Sequence, residues 1–269
     1  MTTKLFVFGC SYATGEELLM HELGAVDVYR CLQDLHVDQK SQKHKLTHPK
    51  KFFNKLKEEN LLEAYEQIRD RQKKIAWPQQ LADKLNYECV NLAESGNSLD
   101  KMLFQLYEEI YKGNITKQDT IIISLTQLTR NAYINKTIEA FQLPSLMWPT
   151  KSLIGVADTG DYKPVINART DEALIDWFTD DRILWDGIKN LQAFKNVKQF
   201  FNLHLVPAMS YDVKTNIELL KEIYEDCSKG FLTNKHLDDF STIRHAWGHP
   251  DITAHNKYAD HLYEILREL

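Results

Sequence analysis

No stretch of this 269-residue chain is apolar for long enough to span a bilayer, and no basic segment with an apolar run behind it precedes Leu5. Neither a membrane partner nor a secretory leader is therefore expected. The four cysteines (Cys10, Cys31, Cys89 and Cys227) include no CxxC pair, which argues against a zinc knuckle or a redox motif. A chain of this length buries a sizeable core without disulfides or structural metal. A reducing cytosol suits it, although release by lysis or carriage in a particle stays open. Charge of one sign is also lacking. Thirty-eight acidic against 33 basic residues leave a net charge of −5, which excludes a general nucleic-acid binder and indicates no substrate. No GxGxxG follows the first apolar run, so a Rossmann dinucleotide site fails, and no cofactor is expected. Internal repeats and low-complexity tracts are absent as well.

What the chain does have is organised around Lys4 to Gly15, KLFVFGCSYATG. Leu5, Phe6, Val7 and Phe8 form a short apolar strand, which Gly9 stops. Cys10, Ser11 and Tyr12 follow, and a helical pattern opens near Thr14 and continues from Glu16 to Leu23. Such a strand, turn and helix is the first half of a βαβ unit. Ser11 then lies past the strand's carboxyl end, where open α/β sheets bind ligands. It suits a nucleophile; it equally suits an ordinary turn serine capping a helix.

Three further strands are expected at Tyr87–Leu92 (YECVNL), Thr120–Leu125 (TIIISL) and Val197–Val206 (VKQFFNLHLV). Helical spacing covers Asn54–Lys74, a segment from Trp77-Pro78 through Leu85, Leu99–Tyr111, Ile183–Phe194, Asn216–Cys227 and Asp251–Leu269. Strands alternating with helices imply a parallel sheet covered on both faces. We expect a single domain over 1–269, with insertions at about 25–75 and 140–170. The first insertion is basic between Gln39 and Lys57 and suits a lid or a partner surface.

Before the closing helix stands RHAWGHPD, Arg244 to Asp251. His249 precedes a proline, which restricts its backbone at the mouth of that helix. Neutral imidazole is the natural base for a serine hydroxyl. The combination resembles the SGNH (GDSL-type) hydrolases, in particular divergent members encoded by tailed phages. FGCSYATG is similar to that family's first block, NLAESGNS to its second, IIISLTQLTR to its third and GHPDITAHNKYA to its last. The four stand in order over nearly the whole chain.

The resemblance implies a three-layer αβα sandwich with a flavodoxin-like parallel sheet. It also implies hydrolysis of an acyl or acetyl ester, on a small molecule or a glycan, without a cofactor or metal. Ser11 stands in the nucleophile position and His249 in that of the base. The backbone N–H groups of Ser11 and Gly96, with the side chain of Thr126, would form the oxyanion hole. Gln127 is a second candidate for that donor. The family's acid three residues before the histidine is Ala246 here, and its Asp before the nucleophile is Cys10. Asp238, Asp239 or a backbone carbonyl would have to orient His249, or the site would run as a Ser-His dyad. Asp251 suits a helix cap better.

Two rivals remain. The substitutions at Thr126 and Ala246 fit a catalytically impaired descendant kept as a binding or virion-associated module. Asp251 and His255, four apart on one helix, have metal-ligand spacing and suggest a metallohydrolase. His255 reads more simply as structural, and Tyr12 as a pocket wall or core filler. Trp148, Trp177, Trp185 and Trp247 fit either a sugar-stacking wall or core packing.

Overall fold

The structure, a computed structural model, describes residues 2–16, 18–19, 27–28, 55–94, 97–126, 180–208, 217–243 and 249–269. Its centre is a sheet of four strands, β1 (Lys4–Phe8), β2 (Glu88–Asn91), β3 (Thr120–Leu125) and β4 (Asn202–Pro207), in the order β2-β1-β3-β4. Every pairing is parallel, with Phe6 opposite both Val90 and Ile121, and Ile122 opposite His204. This is the flavodoxin-like order, in which the direction of strand addition switches between β1 and β3 and leaves a crevice at their carboxyl ends. All six residues of β3 are buried, as expected of a central strand covered on both faces.

The helices are α1 (Ser11–Thr14), α2 (Leu62–Ile75), α3 (Trp77–Leu85), α4 (Leu99–Tyr111), α5 (Asp180–Lys198), α6 (Glu218–Ser228) and α7 (Ile252–Leu266). Alternation along the strands sends Phe6, Phe8, Ile121, Ile123, Leu203 and Leu205 to one face, against α4, α5 and α6. Leu5, Val7, Ile122 and Val206 point the other way, against α3 and α7. Three layers result, αβα, as the four blocks implied. A third cluster joins Tyr65 and Ile68 of α2 to Leu19, Val28 and Leu56, so the described part of the first insertion has a small core of its own. Among the described residues, no helix is long and apolar enough to cross a membrane.

Three elements differ from the sequence reading. A single helical turn runs from Ser11 to Thr14, ended by Gly15 at φ 73°; Glu16, Leu18 and Leu19 lie in turns, and the rest of the expected Glu16–Leu23 helix falls outside the described residues. A side chain at Gly15 would be strained by that φ and would also sit 2.9 Å from the Ala76 Cβ. The fourth strand starts at Asn202 rather than Val197. Leu184, Ile188, Leu191, Phe194 and Val197 recur at helical spacing and are all buried, so the helix takes Val197 before the strand can. The expected helix from Asn54 to Lys74 is split, because Asn60 adopts φ 57° between a helical turn at residues 55–58 and α2.

Candidate active site

Gly9 brings β1 to its end under tight constraint. A Cβ there would lie 2.7 Å from the Ala13 Cβ and 3.0 Å from the Ser124 Cβ, so only glycine lets the turn fold back against β3. Cys10 is then buried as the cap of α1, and its carbonyl accepts the N–H groups of Ala13 and Thr14. Ser11 opens that turn at the carboxyl edge of the sheet, half-buried and not packed into the core.

His249 arrives from the far end of the chain. Asp251 caps α7 by accepting the Ala254 N–H at 2.9 Å, which fixes the entry of that helix two residues after the histidine. Buried Ala254, Tyr258, Ala259 and Leu262 clamp α7 onto the sheet. The outcome is a 2.8 Å hydrogen-bond contact between His249 Nε2 and Ser11 Oγ, across 238 residues of sequence. Tyr12 meets the imidazole edge-on, with ring centroids 5.4 Å apart and planes at 64°.

Thr126 follows β3 and is fully buried, and its Oγ1 has no hydrogen-bond partner among the described residues. Gly96, Gln127 and Ala246 lie outside the described residues, as do Trp148, Trp177, Trp247 and most of the basic span. Trp185 is 38% exposed on α5, on the opposite face of the sheet from α7. Asp239, considered above as support for His249, has other work. It closes the 3-10 turn Leu237–Phe240, where its carboxylate accepts the His236 N–H at 3.0 Å and lies 3.3 Å from His236 Nε2. That capping geometry is local, three residues past His236.

The metal-ligand spacing of Asp251 and His255 is likewise spent on structure. Asp251 holds its cap, and His255, 1% exposed, accepts the Trp77 N–H on Nδ1 at 3.1 Å. That contact supplies the acceptor which α3 lacks at its own N-terminus. Among the described residues, no group of three or more His, Cys, Asp or Glu gathers where a metal ion could be held.

Sequence reasoning overlooked Asn97. It belongs to the loop of small polar residues between β2 and α4, and nothing in its neighbours marks it as buried. In the structure it is fully buried, with Nδ2 donating to the Gly9 carbonyl at 3.2 Å. Close by, Glu94 and Lys101 form a 3.1 Å ion pair with side chains 17% and 13% exposed. Burial pulls the Lys101 ammonium below its usual pKa, and the Glu94 charge opposes that shift.

No protein-family model and no curated protein matches this chain. Solved structures do. One is described as a lipolytic protein of the G-D-S-L family, from Desulfitobacterium hafniense DCB-2. It is 10% identical with a TM-score of 0.42, and the match covers 98% of this chain and 99% of that one. A second is a carbohydrate esterase, 12% identical with a TM-score of 0.43, matched over 99% of this chain and 69% of its own. A third is the lipase Lip_vut3 from a goat rumen metagenome, 13% identical with a TM-score of 0.38 over 99% and 97%. Likeness this distant leaves the functional argument to the site itself.

Proposed function

We propose that this protein is a serine-dependent ester hydrolase that acts through a Ser11–His249 pair. The observation that carries the reading is the 2.8 Å contact between His249 Nε2 and Ser11 Oγ at the carboxyl edge of a parallel sheet. With the imidazole proton on Nδ1, Nε2 accepts the Ser11 O–H and removes that proton as Oγ attacks the ester carbonyl. The N–H groups of Ser11 and Gly96 hold the oxyanion, with the Thr126 hydroxyl as the third donor. Thr126 Oγ1 has a hydrogen bond still to give among the described residues, which supports that role. The alkoxide leaves with the proton held on His249. Water, deprotonated by the same imidazole, then cleaves the acyl-Ser11 ester. The substrates are acyl or acetyl esters, on a small molecule or a glycan.

The rival is the same sandwich kept as a binding module, and it requires an inert Ser11. A fluorophosphonate probe separates the two. Labelling of Ser11 that vanishes in Ser11→Ala, with turnover of p-nitrophenyl acetate, supports the hydrolase. An unlabelled, folded wild-type protein sinks it.

A further inference from the structure

Gly9, two residues before the nucleophile, is held by more than its strand. Its carbonyl accepts the Glu94 N–H at 3.0 Å and the Asn97 Nδ2–H at 3.2 Å. The Asn97 amide also donates to Gln105 Oε1 at 3.0 Å, and Gln105 Nε2 donates to Glu94 Oε1. The bonds close a ring through Gly9, Asn97, Gln105 and Glu94, and Lys101 on α4 anchors the Glu94 carboxylate from outside. On the other side of Gly9, Ser124 and Ala13 leave no room to retreat.

The ring has a cost. Asn97 Oδ1 is buried and accepts no hydrogen bond from the described residues. An unmet buried acceptor is destabilising, and against it stand the two bonds that the amide donates, to Gly9 and to Gln105. What the amide does, and an apolar group cannot, is tie the segment entering Ser11 to the segment immediately following Gly96.

We propose that Asn97 is a positioning residue that couples the turn carrying Ser11 to the start of α4, and so holds the Ser11 N–H where an oxyanion would need it. The inference rests on the hydrolase reading above for its catalytic meaning. Asn97 touches no reacting atom; it acts through the Gly9 carbonyl and its own backbone. Misplacing a donor by about 1 Å can cost on the order of a hundredfold in rate.

The test compares wild type with Asn97→Leu and Gln105→Met. Readouts are kcat and KM on p-nitrophenyl acetate, and inhibition by phenylboronic acid, whose tetrahedral Ser11 adduct directs an oxygen into the oxyanion hole. Hydrogen exchange is followed in segments 5–15 and 97–105. Asn97→Leu should lower kcat about ten- to a hundredfold and leave KM within about twofold. Boronate affinity should fall by the same factor as kcat/KM. Gln105→Met should do the same more weakly, about three- to tenfold, and exchange should accelerate in both segments together.

Unchanged kcat in a folded Asn97→Leu overturns the proposal, and so does a lower kcat with unchanged boronate affinity. If Asn97→Leu does not fold, Gln105→Met decides, and wild-type kcat and exchange in that variant overturn it. If wild type neither turns over nor takes the fluorophosphonate, the hydrolase reading fails separately. The exchange arm still decides the coupling, and loosening confined to 97–105 overturns it.

Discussion

The two faces of the sheet differ in what they bury. Toward α4, α5 and α6 the strands present Phe6, Phe8, Ile121, Ile123, Leu125, Leu203 and Leu205, while the buried Asn190 of α5 bonds Asp100 of α4 at 3.0 Å between two helices. Toward α3 and α7 the strands add Thr120, Ser124 and His204 to their apolar residues. These polar groups, Ser124 apart, are tied into local bonds. Asn202 donates to Thr120 Oγ1 at 3.0 Å, His204 Nε2 lies 2.9 Å from Asn202 Oδ1, and Tyr258 reaches the Pro207 carbonyl at 3.3 Å. One face supplies cohesion. The other gives up some of it to a chain of polar bonds that runs from Thr120 through Asn202 to His204.

The sharpest break between the faces is expected at Ser11. Ser11→Ala should lower p-nitrophenyl ester turnover by about 10⁴-fold or more while leaving the thermal midpoint unchanged. Loss of folding along with activity would mean the serine is structural.

On the apolar face the effect should reverse. Phe194→Ala should cost about 3–5 kcal/mol in urea unfolding, with turnover per folded molecule preserved, because Phe194 is fully buried in the cluster under α5.

A pH effect should come from the polar face. Burial, assisted by the Lys198 charge, lowers the His204 pKa from its usual 6.5 to about 4. Unfolded His204 takes up a proton that the folded residue refuses, so its contribution is complete above pH 6.5 and lost as pH falls toward 4. The loss is on the order of 3 kcal/mol. His204→Gln should flatten that part of the stability profile; an unchanged slope would assign the acid loss elsewhere.

The smallest effect is expected at His255. His255→Leu strips the acceptor from the buried Trp77 N–H and should cost about 1–2 kcal/mol, with kcat on p-nitrophenyl acetate held within about twofold. A larger loss of kcat than of stability would draw His255 into the chemistry.

The sheet was legible because buried strands leave a local record. TIIISL and LFVF are short apolar runs between breakers, and both became strands within a residue of the reading. Val197–Phe201 misled because a valine, two aromatics and a glutamine look strand-like in isolation, whereas Val197 belongs to the buried row that Phe194 continues. The turn at Ser11–Thr14 was missed for a related reason. Four residues are too short to show apolar spacing, and the left-handed Gly15 ends them. In the site, Ser11 and His249 were nameable from their motifs. Asn97 was not, since burial of an amide depends on what packs over it.

The amino-acid order by itself determined the parallel α/β layering, the caps and the glycine turn at Gly9, because each follows from interactions within a few residues. Tertiary structure alone decided that His249 Nε2 sits 2.8 Å from Ser11 Oγ and that His255 caps a helix 178 residues away. Those pairings arise when α7 docks on the sheet. Docking is driven by non-directional burial of Tyr258 and Leu262, which carries no local mark of the polar partners it brings together.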